Sequence, residues 1–197
     1  MFQNHVHPQL DNLSPVSSLC FTGHRPERLP GGAALLGLKE TLHYYIRCAI
    51  DHGYTTYFTG LADGVDYLAM DYLFCLREIH PEILVIGMQP CQDYDSFYRR
   101  RGYNLSHLEE MRRNADRVIV LPGFSHDKGI FLQRNRVMVD QCTGMIAVCD
   151  DGRSGSMSAF TYARSKGLAY CRIFPTPPQG TVPPPQEWRI EEHGFLS

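Results

Sequence analysis

Four short segments carry residue types able to do chemistry on a phosphorylated ligand. The first is Thr22-Gly23-His24-Arg25-Pro26. Its glycine permits a tight turn and close backbone approach. Arg25 offers a guanidinium fork that can grip a phosphate or carboxylate through two hydrogen bonds. His24 brings a ring that titrates near pH 6.5 when unperturbed. Without a ligand, the same segment is a loop turn with a surface arginine. The second segment is Thr59-Gly60-Leu61-Ala62-Asp63-Gly64-Val65-Asp66, a G-x-x-x-G turn that runs into a helix. Free backbone N–H groups at a helix start form an anion cradle. The pattern is neither the dinucleotide G-x-G-x-x-G nor a P-loop, which needs Gly-Lys followed by Ser or Thr. Asp66 would repel a phosphate but could accept from ribose hydroxyls. It also suits the first turn of a helix with no ligand at all.

The third segment is Asp150-Asp151-Gly152-Arg153-Ser154-Gly155-Ser156. Gly152, Ser154, Gly155 and Ser156 suit a phosphate cradle with hydroxyl donors. Asp150 and Asp151 work against that, or recruit a divalent cation. Ser154 or Ser156 also reads as a helix N-cap, and both uses draw on the same N–H groups. The fourth is Gln133-Arg134-Asn135-Arg136 with Met138. Helical spacing sets Arg134 and Met138 on one face, although two arginines alone read as a solvated face. Tyr94, Phe97 and Tyr98 could stack on a base, but aromatic residues at helical spacing read first as core.

The elements that must position these segments alternate along the chain. Short apolar runs at residues 19–22, 55–59, 83–88, 118–121, 145–149 and 168–174 read as strands. Helical spacing covers residues 35–50, 65–79, 130–142 and 156–166, and residues 94–111 read as one polar helix. Strands rich in Val, Ile and Leu without polar alternation are buried on both faces. Alternating them with helices gives a parallel sheet covered on both sides. The expected fold is α/β: a single Rossmann-like, doubly wound domain over residues 19–174. Residues 1–18 read as a loosely ordered leading segment. Residues 175–197 read as an extended strap, because residues 175–185 hold six prolines, which exclude helix and central strand. Trp188 is the expected anchor of that strap.

A chain of 197 residues with 43% hydrophobic content can build one core, so whole-chain disorder is excluded. Its 19 basic against 21 acidic residues give a net charge of −2. That balance counts against a protein that coats nucleic acid or an anionic membrane. No apolar run approaches the about 18–20 residues of a membrane span, and residues 1–19 lack the pattern of a secretion signal. Seven cysteines include no C-x-x-C pair. Buried free thiols in a reducing cytoplasm are expected, with no zinc site.

Taken together and in this order, the Gly-His-Arg turn, the Gly-x-x-x-Gly-x-Asp turn, the Arg-Asn-Arg-x-Met helix and the Gly-x-x-Gly-Ser turn resemble the SLOG superfamily. That superfamily unites DprA-like DNA-processing domains with the LOG phosphoribohydrolases, which activate cytokinins. More narrowly, residues 19–174 resemble the bacterial YpsA-type proteins. The resemblance implies a Rossmann-like fold, a nucleotide or nucleotide-derived ligand, no required cofactor and a homo-oligomer, in the simplest case a dimer. In LOG enzymes an Arg-Lys-x-x-Met helix precedes a Pro-Gly-Gly-x-Gly-Thr-x-Glu-Glu turn. Arg134 falls at the place of their catalytic arginine, four before Met138. Arg153 replaces the second glycine of the turn, and the two glutamates correspond to Ser158 and Ala159.

N-glycosidic cleavage needs a carboxylate to stabilise oxocarbenium character or activate water. Asp63, Asp66, Asp150 and Asp151 are the substitutes on offer. The leading expectation is therefore binding or sensing of a nucleotide at the carboxyl ends of the strands, through Thr22, Gly23, His24, Arg25, Gly60, Gly64, Asp66, Arg134 and the turn at 152–156. The alternative is a nucleoside 5′-monophosphate phosphoribohydrolase with Arg134 and Asp66 as its catalytic pair. Single-stranded DNA binding ranks third, since no basic stripe supports it.

Overall fold

A computed structural model of the chain describes residues 17–177 and 187–195. The elements in order are β1 (Ser18–Gly23), a 3-10 turn (Pro26–Arg28), α1 (Gly32–Asp51), β2 (Thr56–Thr59), α2 (Val65–Leu76), β3 (Leu84–Gln89), α3 (Tyr94–Arg101), α4 (Leu105–Asn114), β4 (Arg117–Val120), α5 (Ile130–Asp140), β5 (Gly144–Val148), α6 (Gly155–Ser165), β6 (Ala169–Ile173) and β7 (Ile190–His193). One sheet holds all seven strands in the order β4-β3-β2-β1-β5-β6-β7. Strands β1 to β6 pair in parallel, and β7 closes one edge antiparallel to β6. The domain is a Rossmann-like, doubly wound α/β fold with helices on both faces of the sheet.

Successive strand residues point to opposite faces, and both faces are apolar. Leu19, Phe21, Ile146 and Val148 join one core with Leu38, Leu42 and Ile46 of α1 and Ala69 and Leu73 of α2. Cys20, Met145 and Ala147 face the other way, into a second core with Met138 of α5 and Phe160 of α6. Burial on both faces is the physical reason that the strand runs show no polar alternation.

Two elements differ from the sequence expectation. Residues 94–111 form two helices, because Gly102 ends α3 in the left-handed conformation (φ 67°) and the Asn104 side chain caps α4 by accepting from Ser106 N. Strand β7 is not expected at all. Its sequence Ile190-Glu191-Glu192-His193 has one apolar residue, and charged residues are tolerated because the strand lies at the sheet edge. Near it, Trp188 and Phe195 are buried. Most of the proline-rich stretch, and residues 1–16, lie outside the described residues.

From β1 the chain winds outward through β2, β3 and β4, then crosses back to place β5 on the other side of β1. The carboxyl ends of β1 and β5 therefore flank the point where winding reverses, where open α/β sheets bind ligands. Gly64 fixes the approach of α2 to this point. Its φ is 98°, and a Cβ there would run into the His24 carbonyl, which accepts from Val65 N at 3.2 Å. Gly64→Ala is expected to cost at least about 2 kcal/mol through backbone strain. That lowers the thermal unfolding midpoint by at least about 4 °C in a chain of this size. Gly155→Ala, which meets nothing within 4 Å, is expected to leave the midpoint unchanged in the same melt.

Candidate functional site

The centre of the site is a carboxylate taken out of water. Asp66, one residue into α2, is 5% exposed. Its Oδ2 accepts from Gly60 N at 2.8 Å. Burial raises its pKa, opposed by the Arg134 and Arg25 guanidinium groups and by the backbone N–H groups of Gly60 and Ala62. Arg134, on α5, is equally buried. It donates from Nη1 to the carbonyls of Gly60 and Met88 and from Nε to Asn135 Oδ1 at 2.8 Å. A Cβ on Gly60 would strike the Arg134 guanidinium, so the second glycine turn exists to let this side chain lie flat against the backbone. The turn is held from the far side as well. Leu61 sits at φ 52°, unusual for a branched residue, and its carbonyl accepts from Tyr98 Oη at 2.7 Å.

Arg25 approaches the same carboxylate from the β1 side. Its guanidinium lies over the Tyr103 ring, 4.9 Å from the centroid. Its Nη1 is buried beside the Tyr94 hydroxyl, without the alignment of a hydrogen bond, and neither atom has a hydrogen-bond partner. Buried donors are nearly always paired. This unmet donor therefore marks a place where another polar group belongs.

At the β5 end, Ser154 caps α6 by accepting from Met157 N at 3.0 Å. Gly155 and Ser156 follow, and their N–H groups are the first of the helix, beyond reach of any intrahelical carbonyl. The Ser156 hydroxyl donates to Gly23 O at 2.6 Å, fastening α6 to the end of β1. His24 is 2% exposed. Burial lowers its pKa, Arg28 lowers it further, and Asp150 pulls it partly back. The neutral ring accepts from Asp150 N through Nε2 at 3.2 Å. Asp150 is gripped by Arg28 Nη2 at 2.9 and 3.1 Å and caps Gly152 N at 2.8 Å.

These groups surround one cavity of about 340 Å³. Of the sequence candidates, Thr22, Gly23, His24, Arg25, Asp66, Arg134, Ser154, Gly155 and Ser156 line it. Gly60 and Gly64 stand behind the wall and shape it. Gly152 does not line it; it is exposed, with its N–H turned to Asp150. The substitute carboxylates separate cleanly. Asp63 is buried and committed to Gly64 N, Asn104 N and His107 Nδ1. Asp151 pairs with Arg172 at 2.7 Å, and Asp150 pairs with Arg28. Among the lining residues the carboxylates are Asp66 and Glu27. Ser158 bonds back to Ser154 O, and Ala159 is buried, so α6 supplies no acid there. Among the described residues no group of three His, Cys, Asp or Glu is placed to hold a metal ion, and no helix is long and apolar enough to cross a membrane.

The lining also contains Phe97, Tyr103 and Phe131. Tyr94 and Tyr98 are fully buried core, whereas Phe97 faces the cavity with Phe131, their centroids 4.6 Å apart. Phe131 and Tyr103 escape sequence reasoning. Phe131 precedes Arg134 by three residues, a same-face spacing that could have flagged it. Tyr103 follows a left-handed glycine and carries no periodic signal.

The fold and the cavity define a Rossmann-like protein with a cavity at its winding reversal. The chain belongs to the YspA SLOG family (YpsA), which it matches over residues 19–170. Among solved structures it is similar to DNA processing protein A (DprA) from Streptococcus pneumoniae, with a TM-score of 0.52 at 20% identity. That match covers 78% of this chain and 48% of the other, so the chain spans about half of that protein's length. No curated protein matches the chain.

The buried, neutral His24 sets a pH dependence. A histidine whose pKa falls on folding stabilises fully above its unfolded value of 6.5, and that contribution is lost as pH drops below it. His43, lowered to about 4 by burial and by Lys39 and Arg47, acts in the same direction. Resistance to urea unfolding is expected to fall from pH 7 to pH 5. His24→Gln is expected to flatten that slope, and an unchanged slope would show that His24 is not held neutral.

Proposed function

We propose that this protein binds a nucleotide or nucleotide-derived phosphorylated ligand in the cavity at the ends of β1 and β5. The observation that carries the reading is the pairing of two environments in one space. At one end, the first N–H groups of α6 at Gly155 and Ser156 suit a phosphate. At the other, Phe97, Tyr103 and Phe131 offer aromatic faces to a base. Between them, Asp66 can accept from ribose hydroxyls, and the unmet Nη1 of Arg25 can donate to a ligand acceptor. Four arginines, Arg25, Arg28, Arg101 and Arg134, against two carboxylates favour an anion. The volume lies at the lower end of the about 300–1,000 Å³ typical of small-molecule sites, in keeping with a mononucleotide. Membership of the SLOG family supports the same ligand class.

Hydrolysis of a nucleoside 5′-monophosphate to free base and ribose phosphate is the second reading. Asp66 favours it, since burial raises the pKa of a carboxylate that lines the cavity beside two arginines. In that reaction Asp66 would stabilise the developing oxocarbenium ion or activate water, with Arg134 orienting the substrate.

A thermal shift panel of nucleoside 5′-monophosphates on ligand-stripped protein tests the first reading. At a hundredfold excess over Kd, binding adds about 2.7 kcal/mol, a rise of about 5–10 °C. Gly155→Val, which places an isopropyl group in the cradle, is expected to weaken binding at least tenfold. The absence of any shift at millimolar nucleotide would overturn the reading. Release of free base from the same mixtures, abolished in Asp66→Asn, would move the protein to the hydrolases; release that persists in that variant removes Asp66 from the chemistry.

A further inference from the structure

We infer that the ligand carries a second anionic group, separate from the one at the α6 cradle and held by Arg101 at the α3 end of the cavity. The inference rests on the nucleotide reading above and adds to it a substrate class: a nucleotide with phosphoryl groups at two places.

Arg101 is the last residue of α3. It lines the 340 Å³ cavity and also an open recess of about 490 Å³ beside it; the two share Glu27, Arg101 and Tyr103. Two carboxylates act on the other three arginines of the cavity, so one positive charge is left over there as well. Arg28 holds Asp150 at 2.9 Å, and Arg25 and Arg134 flank Asp66. The next arginine along α3, Arg100, lies 3.7 Å from Asp93, and Arg112 lies 2.6 Å from Asp95. Among the described residues, Arg101 has no carboxylate within ion-pair distance, although two carboxylates line the recess. Both accept hydrogen bonds from other residues. Glu27 accepts from Tyr103 Oη at 3.2 Å, and Asp63 is taken up by His107 and two backbone N–H groups. A basic residue in the last turn also suits the dipole of α3, but that account serves Arg99 and Arg100 equally and does not explain why Arg101 lines the cavity.

The topology sets the spacing. The α6 cradle follows β5 and α3 follows β3, with β1 and β2 between them. Three strand spacings of about 4.8 Å set the start of α3 about 14 Å from the cradle, and Arg101 stands at the other end of that eight-residue helix. A phosphate on the 3′ oxygen and one at the end of a diphosphate chain share the chemistry that Arg101 would recognise, and they differ in where they attach.

Isothermal titration separates them. The probes are the 5′-monophosphate that binds best in the panel above, its 3′,5′-bisphosphate and its 5′-diphosphate, each with the wild-type protein and Arg101→Gln. The 3′,5′-bisphosphate is expected to bind at least about tenfold more tightly than the monophosphate, about 1.4 kcal/mol. In Arg101→Gln that ratio is expected to fall to within about twofold. An Arg101-dependent gain with the 5′-diphosphate instead also supports the second anion and places it on the phosphate chain. Equal affinities for all three probes, or a gain that survives Arg101→Gln, would overturn the inference while leaving mononucleotide binding intact. Failure of every probe to bind would instead remove the nucleotide reading itself.

Discussion

The structure turns on one buried carboxylate. An ionised aspartate removed from water is costly unless hydrogen bonds and opposite charges surround it. Around Asp66, that requirement fixes three separate stretches of chain. Gly60 must be glycine so that Arg134 can lie against it. The turn from Gly60 to Gly64 must fold back far enough to present backbone N–H groups to the carboxylate. Arg25 must come up from the end of β1. The cavity is the space left where these three demands meet at the winding reversal of the sheet.

Charge compensation at that point is deliberately incomplete in one respect. Asp66 answers the two arginines electrostatically, yet the Nη1 of Arg25 and the hydroxyl of Tyr94 stay buried without hydrogen-bond partners. Asp63 nearby has three donors, whereas this pair stays unmet, as do His43 Nε2 and Arg77 Nε, whose residues do not line the cavity. The α6 turn itself supplies no acid, so the carboxylates that line the cavity are Asp66, already engaged in holding the loop, and Glu27.

Much of the fold is legible in the sequence because its strands are buried on both faces. Runs such as Met145-Ile146-Ala147-Val148, buried throughout, carry an unambiguous apolar signal. What escapes is set by local or edge effects. The break at Gly102 depends on one left-handed residue inside a polar segment, and β7 pairs by its backbone with little apolar content to announce it. The site shows the same division. Glycine turns and arginines are visible as types, and topology alone makes Arg25, Asp66 and Arg134 converge, since they lie as much as 109 positions apart in the chain. Arg172 illustrates a role invisible to pattern. It is 3% exposed within an apolar strand. It ties Cys149 O and Asp151, next to the cradle, to Glu191 of β7. The last strand thus braces the loop that leads to α6.

The central claim is that one cavity receives the ligand, with phosphate at α6 and base at the aromatic wall. A crystal structure of the protein with the tightest-binding nucleoside 5′-monophosphate tests it most directly. The account predicts phosphate oxygens within hydrogen-bond distance of Gly155 N and Ser156 N, a ribose hydroxyl on Asp66, and the base against Phe97 or Phe131. A nucleotide bound elsewhere on the surface, with the cavity filled only by water, would contradict it.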